Sequence, residues 1–287
     1  MNNLKNGGEM KEKLKKIYEI YKEFPEFILF ILKLPIILIQ NTDVKYTKIT
    51  QDTVHILGNG PSNLETLLKI RKENEKIICV NYFAITDKFR EIKPYYYLLT
   101  DPYFFLTLKA EKNILFINAL NDIEWNMILF IPSKYKTIFK PLIKNEKIKM
   151  KFYRINYLPG TNKFVHYLNK KNIATPRFQN VIIACIYVAL NLGFKKIKLH
   201  GVETSEFKNF KINKKNEALL EIDHFYGKEV INLFEEGEIK KGEFGKYLNY
   251  YSVTLLDYVL VEKYSKYIGV KVFNYTENSY IDAFEKK

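Results

Sequence analysis

Three features of this chain predict an α/β fold, a Rossmann-like parallel sheet flanked by helices. Short β-branched or aliphatic runs alternate with helical stretches over most of the length. The first run, TVHIL, leads directly into the small-residue turn Gly58-Asn59-Gly60-Pro61-Ser62 and then into a segment with apolar Leu64, Leu67, Leu68 and Ile70, the opening βα unit of such a sheet. Three later runs end in polar residues, Asn81, Asp101 and Asn118, as strands do where a ligand crevice lies beyond their carboxyl ends.

Residues 10–40 read as helical. Leu14, Ile17, Ile20 and Tyr21 share one stripe with lysines opposite, and FPEFILFILKLPIILIQ follows. This second stretch carries Lys33 and Pro35, and Pro35 is expected to kink or end the helix. A helix packed on the body is the first expectation and a segment lying on a membrane surface the second, because no apolar run reaches the roughly 20 residues that span a bilayer. After TVHIL, KIICVNYFAI (76–85) reads as the second strand, YYYLLTD (95–101) as the third and KNILFINAL (112–120) as the fourth. QNVIIACIYVALNLG (179–193) is a buried helix stopped by Gly193, FKKIKLHGVETS (194–205) a strand with its loop, and GVKVFNYTENSYIDAF (269–284) the last strand with a final turn or helix. Between them, 206–246 is Lys- and Glu-rich and weakly periodic, the pattern of a flexible lid with local helix. The expected organisation is an N-terminal helical segment at 1–50 and an α/β body at 51–287.

Composition excludes several classes. The chain has 287 residues, 47% of them hydrophobic, enough for an ordinary core in one large domain or two small ones. Lysine and arginine number 46 against 32 acidic residues, a net charge of +14, but only four are arginine. No helix concentrates Arg with Asn or Gln for base readout, so nucleic acid is not an expected partner. A basic surface facing anionic lipid or sugar phosphate fits better. Cys79 and Cys185 lie in apolar runs and read as buried free thiols of a cytoplasmic protein. The start, MNNLKNGGEMKEKLKKIYEIYK, is too polar for a signal peptide.

The turn at 58–62 is the most informative segment. Its two glycines permit positive φ and close backbone approach, Pro61 suits a first helical turn, and Ser62 offers a hydroxyl and an amide to an anion. It is neither GxGxxG nor a Walker sequence. Asn81 and Asp101 at strand ends either reach a ligand or cap the next turn. His224, in Asp223-His224-Phe225-Tyr226-Gly227, lies in the lid with an acidic neighbour, as a general base would. His55 reads as a core residue, His200 as a strand-end residue within reach of the pocket, and His166 as surface. Glu203, after KIKLHGV, either holds hydroxyls or a cation or caps the lid's first turn. No HExxH, CxxC or HxH spacing points to zinc, and no GxSxG elbow to a serine nucleophile.

Taken in order, GNGPS after the first strand, an Asn after the second, RFQNVIIACIYVALNLGFKKIKLHGVE, a His-aromatic-Tyr loop and the closing KVFNYTENSYIDAF resemble the bacterial sialyltransferases of glycosyltransferase family 42, over residues 52–284. A broader set of surface-polysaccharide transferases with the same GNGPS opening is similar too. The resemblance implies a GT-A-like variant of the Rossmann fold with a lid. The implied reaction moves a sugar, sialic acid or a related acidic one, from a CMP donor to a glycan or glycolipid acceptor in lipooligosaccharide or capsule synthesis. It also implies inversion without a metal or other cofactor. It places Gly58, Asn59, Gly60 and Ser62 around the CMP and brings Asn81 to the donor. Asp101 stands at a donor-contacting Asn, Asn180 near a nucleotide-holding segment, and Glu203 at the family's strand-end Asp. Tyr226 would bind phosphate. The base is His224 or, because the loop is shortened, Lys228 occupies that slot. The inner membrane face and a second copy of the chain are further partners under this reading. Two alternatives remain open: a pterin diphosphokinase-like enzyme with Asp101 and Glu203 as its metal pair, and a non-catalytic membrane-associated adaptor using residues 23–40.

Overall fold

The computed structural model describes residues 24–39, 42–44, 52–62, 75–225, 227–235 and 237–287. Among them are eleven strands: β1 (Thr53–Leu57), β2 (Lys76–Val80), β3 (Tyr96–Leu98), β4 (Met127–Pro132), β5 (Ile148–Tyr153), β6 (Lys196–His200), β7 (Phe210–Ile212), β8 (Ala218–His224), β9 (Gly227–Asn232), β10 (Lys271–Asn274) and β11 (Glu285–Lys286). Eight form one sheet in the order β11-β10-β6-β1-β2-β3-β4-β5, and β7-β8-β9 form a second. Every pairing in the large sheet is parallel. The chain runs outward from β1 to β5 and then returns to the other side of β1 as β6. The strand order therefore reverses between β1 and β6, the point of an open α/β sheet where a crevice forms beyond the carboxyl ends.

The longer helices are α1 (residues 24–39), α2 (Glu111–Asn121), α3 (Lys163–Lys170), α4 (Val181–Leu192) and α5 (Phe244–Ile268). Alternation along the strands divides the sheet's side chains between two cores. Val54, Ile56, Ile78, Val80, Leu98 and Ile197 pack with α4 and with Tyr258, Val261 and Tyr264 of α5. Leu57, Cys79, Tyr97, Leu99 and Leu129 pack on the opposite face with Phe116 and Leu120 of α2. Because α4 is covered nearly all round, it is apolar on every side. Asn180 caps it by accepting a hydrogen bond from the Ile182 amide, and Gly193 ends it at φ 94°. Truncating the fully buried Ile186 to alanine would cost about 2–5 kcal/mol. Cys79 and Cys185 are free and fully buried.

The fold class and the strands after residues 52, 75, 94, 195 and 270 agree with expectation; several elements do not. KNILFINAL is α2 rather than a strand, because Asn113, Phe116 and Leu120 at helical spacing face the core. Asn118 is consequently exposed on that helix, away from any strand end. The strands β4 and β5, absent from the expected set, complete that side of the sheet. Pro35 does not end α1, which continues through it to residue 39. His166 is buried, with its ring on Tyr264 and Tyr267 of α5, because it sits on the inward face of α3. In the lid interval, helix is limited to a 3-10 turn at Glu206–Asn209 and the start of α5; the rest is the antiparallel β7-β8-β9 sheet around Ala218, Leu220, Leu233 and Ile239. The expected helical segments at 10–23 and 63–74 lie outside the described residues.

Candidate functional site

Two loops meet at the β1/β6 switch point, Gly58–Ser62 after β1 and Gly201–Ser205 after β6. Their contact is close: the Gly58 amide donates to the His200 carbonyl at 2.8 Å and the Gly60 amide to the Gly201 carbonyl at 2.9 Å. The Ser62 amide donates to Glu203 Oε1 at 2.9 Å. A Cβ on Gly58 would lie 2.2 Å from the Gly201 carbonyl oxygen, and one on Gly60 would lie 1.4 Å from Glu203 Oε2. These glycines are thus required by the neighbouring loop. Neither has a positive φ, contrary to the first reason expected for them. The Ser62 amide, expected to meet an anion, is instead held by Glu203, and the two glycine amides by carbonyls of His200 and Gly201.

The β6 loop is braced from behind. The Val202 amide donates to Thr276 Oγ1 at 3.0 Å, Ser279 Oγ donates to the Val202 carbonyl at 2.7 Å, and the Tyr280 amide donates to the Glu203 carbonyl at 2.9 Å. Thr204 is held at φ 51°, a left-handed conformation costly for a β-branched residue, and Asn81 at φ 50°. Both strained residues face the same cleft.

Three adjacent chambers share lining residues here. The first, of about 160 Å³, is walled by Gly58, Asn59, Gly60, Asn81, Glu203 and His224. The second, of about 650 Å³, lies under the small sheet between Asp101, Glu206, His224, Tyr247, Tyr250 and Tyr251. The third, of about 430 Å³, opens past Asn81, Asp101, Lys134, Ile155 and Gln179. Asn180 borders all three, and His224 joins the first two. The small sheet is fastened over the turn by the Phe225 amide, which donates to the Asn59 carbonyl at 3.1 Å, and by the Phe225 ring against Phe83.

Most of the expected site residues therefore converge. Gly58, Asn59, Gly60, Asn81, Glu203 and His224 share the first chamber with Asn180, while Asp101 borders the other two. Ser62 stands next to them, bonded to Glu203. Lys228 does not join: its side chain is 70% exposed and pairs with Asp223 across the β8–β9 hairpin. Tyr226 lies outside the described residues. His200, within reach of the pocket by sequence, is instead buried against His55, its Nε2 2.9 Å from His55 Nδ1, in a cluster with Glu75 and Lys198. Asp101 Oδ1 accepts from the Tyr103 amide at 2.9 Å and Glu203 from Ser62, so the expected metal pair borders different chambers with each carboxylate already engaged.

Burial holds the His224 imidazole below its ordinary pKa, which leaves a neutral ring at pH 7. Burial, with Glu203 nearby, raises Glu206. The Oδ1 atoms of Asn59 and Asn81 and the Ser62 hydroxyl are buried without a hydrogen-bond partner among the described residues. Sequence reasoning missed Glu206, Thr204 and the three tyrosines. The tyrosines carried a legible signal, since 247, 250 and 251 share one helical face. Burial raises the pKa of Tyr250 and Tyr251, keeping both phenols protonated, and the Tyr250 hydroxyl donates to the Gln179 carbonyl at 2.7 Å.

No protein-family model matches the chain, and no curated protein sequence matches it. Solved structures are similar in fold. The MAf glycosyltransferase of Magnetospirillum magneticum AMB-1 aligns with a TM-score of 0.52 and 13% identity, over 86% of this chain and 35% of that one. The chain thus spans about a third of that protein's length. The sialyltransferase CstII of Campylobacter jejuni, in complex with the substrate analogue cytidine-5'-monophosphate, aligns with a TM-score of 0.44 and 16% identity, over 84% of this chain and 85% of that one. The α-2,3-sialyltransferase Cst-I of Campylobacter jejuni gives 0.44 and 16%, over 85% and 83%. At these identities the likeness is one of architecture, a helix-flanked parallel sheet.

Proposed function

We propose that the protein is a glycosyltransferase that binds a nucleotide-sugar donor at the β1/β6 switch point and uses His224 as general base. The observation that supports this most is the position of His224, which borders both the small polar chamber at the glycine turn and the tyrosine-walled chamber beside it. The first chamber suits a nucleoside, because the oxygens of Asn59 and Asn81, unpartnered among the described residues, call for hydroxyl and amino donors such as a ribose and a base offer. The second suits a sugar, with tyrosine rings for its apolar face and carboxylates for its hydroxyls.

In the reaction, neutral His224 accepts the proton of an acceptor hydroxyl as that oxygen bonds to the anomeric carbon. The bond from that carbon to the donor phosphate breaks on the opposite side, and its electron pair leaves on the phosphate oxygen. With the amides of Gly58, Gly60 and Ser62 engaged elsewhere, stabilisation of the leaving phosphate falls to side chains, Tyr226 among them. Among the described residues, six carboxylates border the chambers, Asp101, Glu203, Glu206, Asp223, Glu238 and Glu243, against Lys134 and Lys246. A single phosphodiester, as in a CMP-linked donor, brings less negative charge into this cleft than a pyrophosphate does.

The test is a donor panel of CMP-, UDP- and GDP-sugars, following nucleotide release with a chelator present and absent. CMP release that falls at least about 100-fold in His224→Ala, with fold unchanged, is the expected outcome. Equal turnover by His224→Ala, or release only from pyrophosphate donors with added divalent cation, would overturn the reading.

A further inference from the structure

We infer that α1 is a monotopic anchor whose outward face seats in an anionic lipid surface on the flank of the molecule that carries the third chamber. The inference does not depend on glycosyl transfer. One stripe of α1 packs on the body: Phe30 and Ile37 are buried, with Leu34 beside them, against Leu158, Val165, Leu168 and Ala174. The opposite stripe, about half a turn round, is also apolar. Ile28, Leu32, Ile36 and Ile39 lie there, and Leu32 is 70% and Ile39 81% exposed. A helix that is apolar on all sides is normally covered on all sides, as α4 is; α1 is covered on one.

Charge identifies the occupant. The exposed face carries Lys33, the preceding sequence reads KEKLKKIYEIYK, and the whole chain has a net charge of +14. A second copy would bring the same charge to the same face, whereas an anionic bilayer complements it. Next to α1, helix α3 adds exposed Phe164 and Tyr167 with exposed Lys163 and Lys171, the aromatic and lysine pairing that settles at a lipid headgroup layer. No helix among the described residues is long and apolar enough to cross a membrane, so contact along the surface is the mode that fits. The position is also apt: Leu158, against which α1 packs, lies three residues after Ile155 on the wall of the third chamber.

The test is co-sedimentation of the full chain with vesicles of phosphatidylcholine plus phosphatidylglycerol and with vesicles of phosphatidylcholine alone. Leu32→Glu and Ile36→Glu are compared with Leu106→Glu, an equally exposed apolar position elsewhere. Binding to the mixed vesicles is expected to weaken at least about tenfold in either α1 variant with the melting temperature unchanged, and to persist in Leu106→Glu. Lys33→Glu is expected to weaken it about fivefold or more, with loss of binding at high salt. Equal binding to both vesicle types, no binding to either, or a concentration-dependent dimer broken by Leu32→Glu would each overturn the proposal.

Discussion

Gly60→Ala should disable the loop junction at the heart of the site, and the size of the effect can be worked out. The new Cβ would fall 1.4 Å from Glu203 Oε2 and 2.8 Å from the Gly201 carbonyl oxygen. The carboxylate must swing away, and its 2.9 Å bond from the Ser62 amide is lost. A hydrogen bond to a charged acceptor contributes about 1.5–3 kcal/mol. Residual crowding against the Gly201 carbonyl, a backbone atom that cannot rotate away, adds about 1–3 kcal/mol. Gly60→Ala should therefore cost about 2.5–6 kcal/mol, and Glu203→Ala about 1.5–3 kcal/mol through the lost bond alone. The double variant loses that bond only once, so it should be less destabilised than the summed singles by about 1.5–3 kcal/mol. Urea unfolding of the four proteins at pH 7 measures each value, and thermal unfolding should follow at about 2–4 °C per kcal/mol. Additive effects, or a Gly60→Ala protein as stable as the parent, would refute the argument that Glu203 fills the space the glycine leaves.

Three further outcomes follow from the buried ionisable groups. Burial pushes Asp257, only 2% exposed, up to about 7 against an opposing pull from Arg177. The folded state then holds this proton more tightly than the unfolded one, so stability falls as pH rises from about 4 to 7, and Asp257→Asn should be the more stable protein at pH 8, by up to about 4 kcal/mol, and lose that advantage by pH 4. Glu75 behaves oppositely. Burial would raise it, but hydrogen bonds and charge from Lys198 and His55 lower it to about 2, so its contribution is full above the ordinary carboxylate pKa and is lost as pH falls towards 2. Glu75→Gln should accordingly be destabilised by about 1–3 kcal/mol at pH 7, with a gap from the parent that narrows at pH 3 in denaturant titrations. For His224, whose pKa burial lowers, the acid limb of kcat/KM should have its midpoint below 6.5; a midpoint above that value would remove it as the base.

The parts of this fold legible in the sequence are those where local pattern and burial agree. TVHIL before GNGPS and the mostly apolar α4 between Asn180 and Gly193 each carry their own boundary signals. KNILFINAL was ambiguous in itself, because an apolar run of that length suits a strand or a helix; only the inward spacing of Asn113, Phe116 and Leu120 separates them. The small sheet was hidden because its strands are half-exposed and rich in Lys and Glu, although Ala218, Leu220 and Ile222 do alternate. Type and place at strand ends single out most of the residues that border the cleft, but not what each of them touches. Whether the glycines make room for a ligand or for Glu203 depends on a contact 141 residues away along the chain, which local pattern does not encode.

The most direct test of the account is a titration of the full-length protein with CMP, in chelator, against UDP, GDP and ATP. The account predicts that CMP binds and that Asn59→Ala and Asn81→Ala each weaken it about tenfold or more with the fold intact. No binding of CMP, or equal binding by these variants, would contradict a nucleotide seated at the glycine turn.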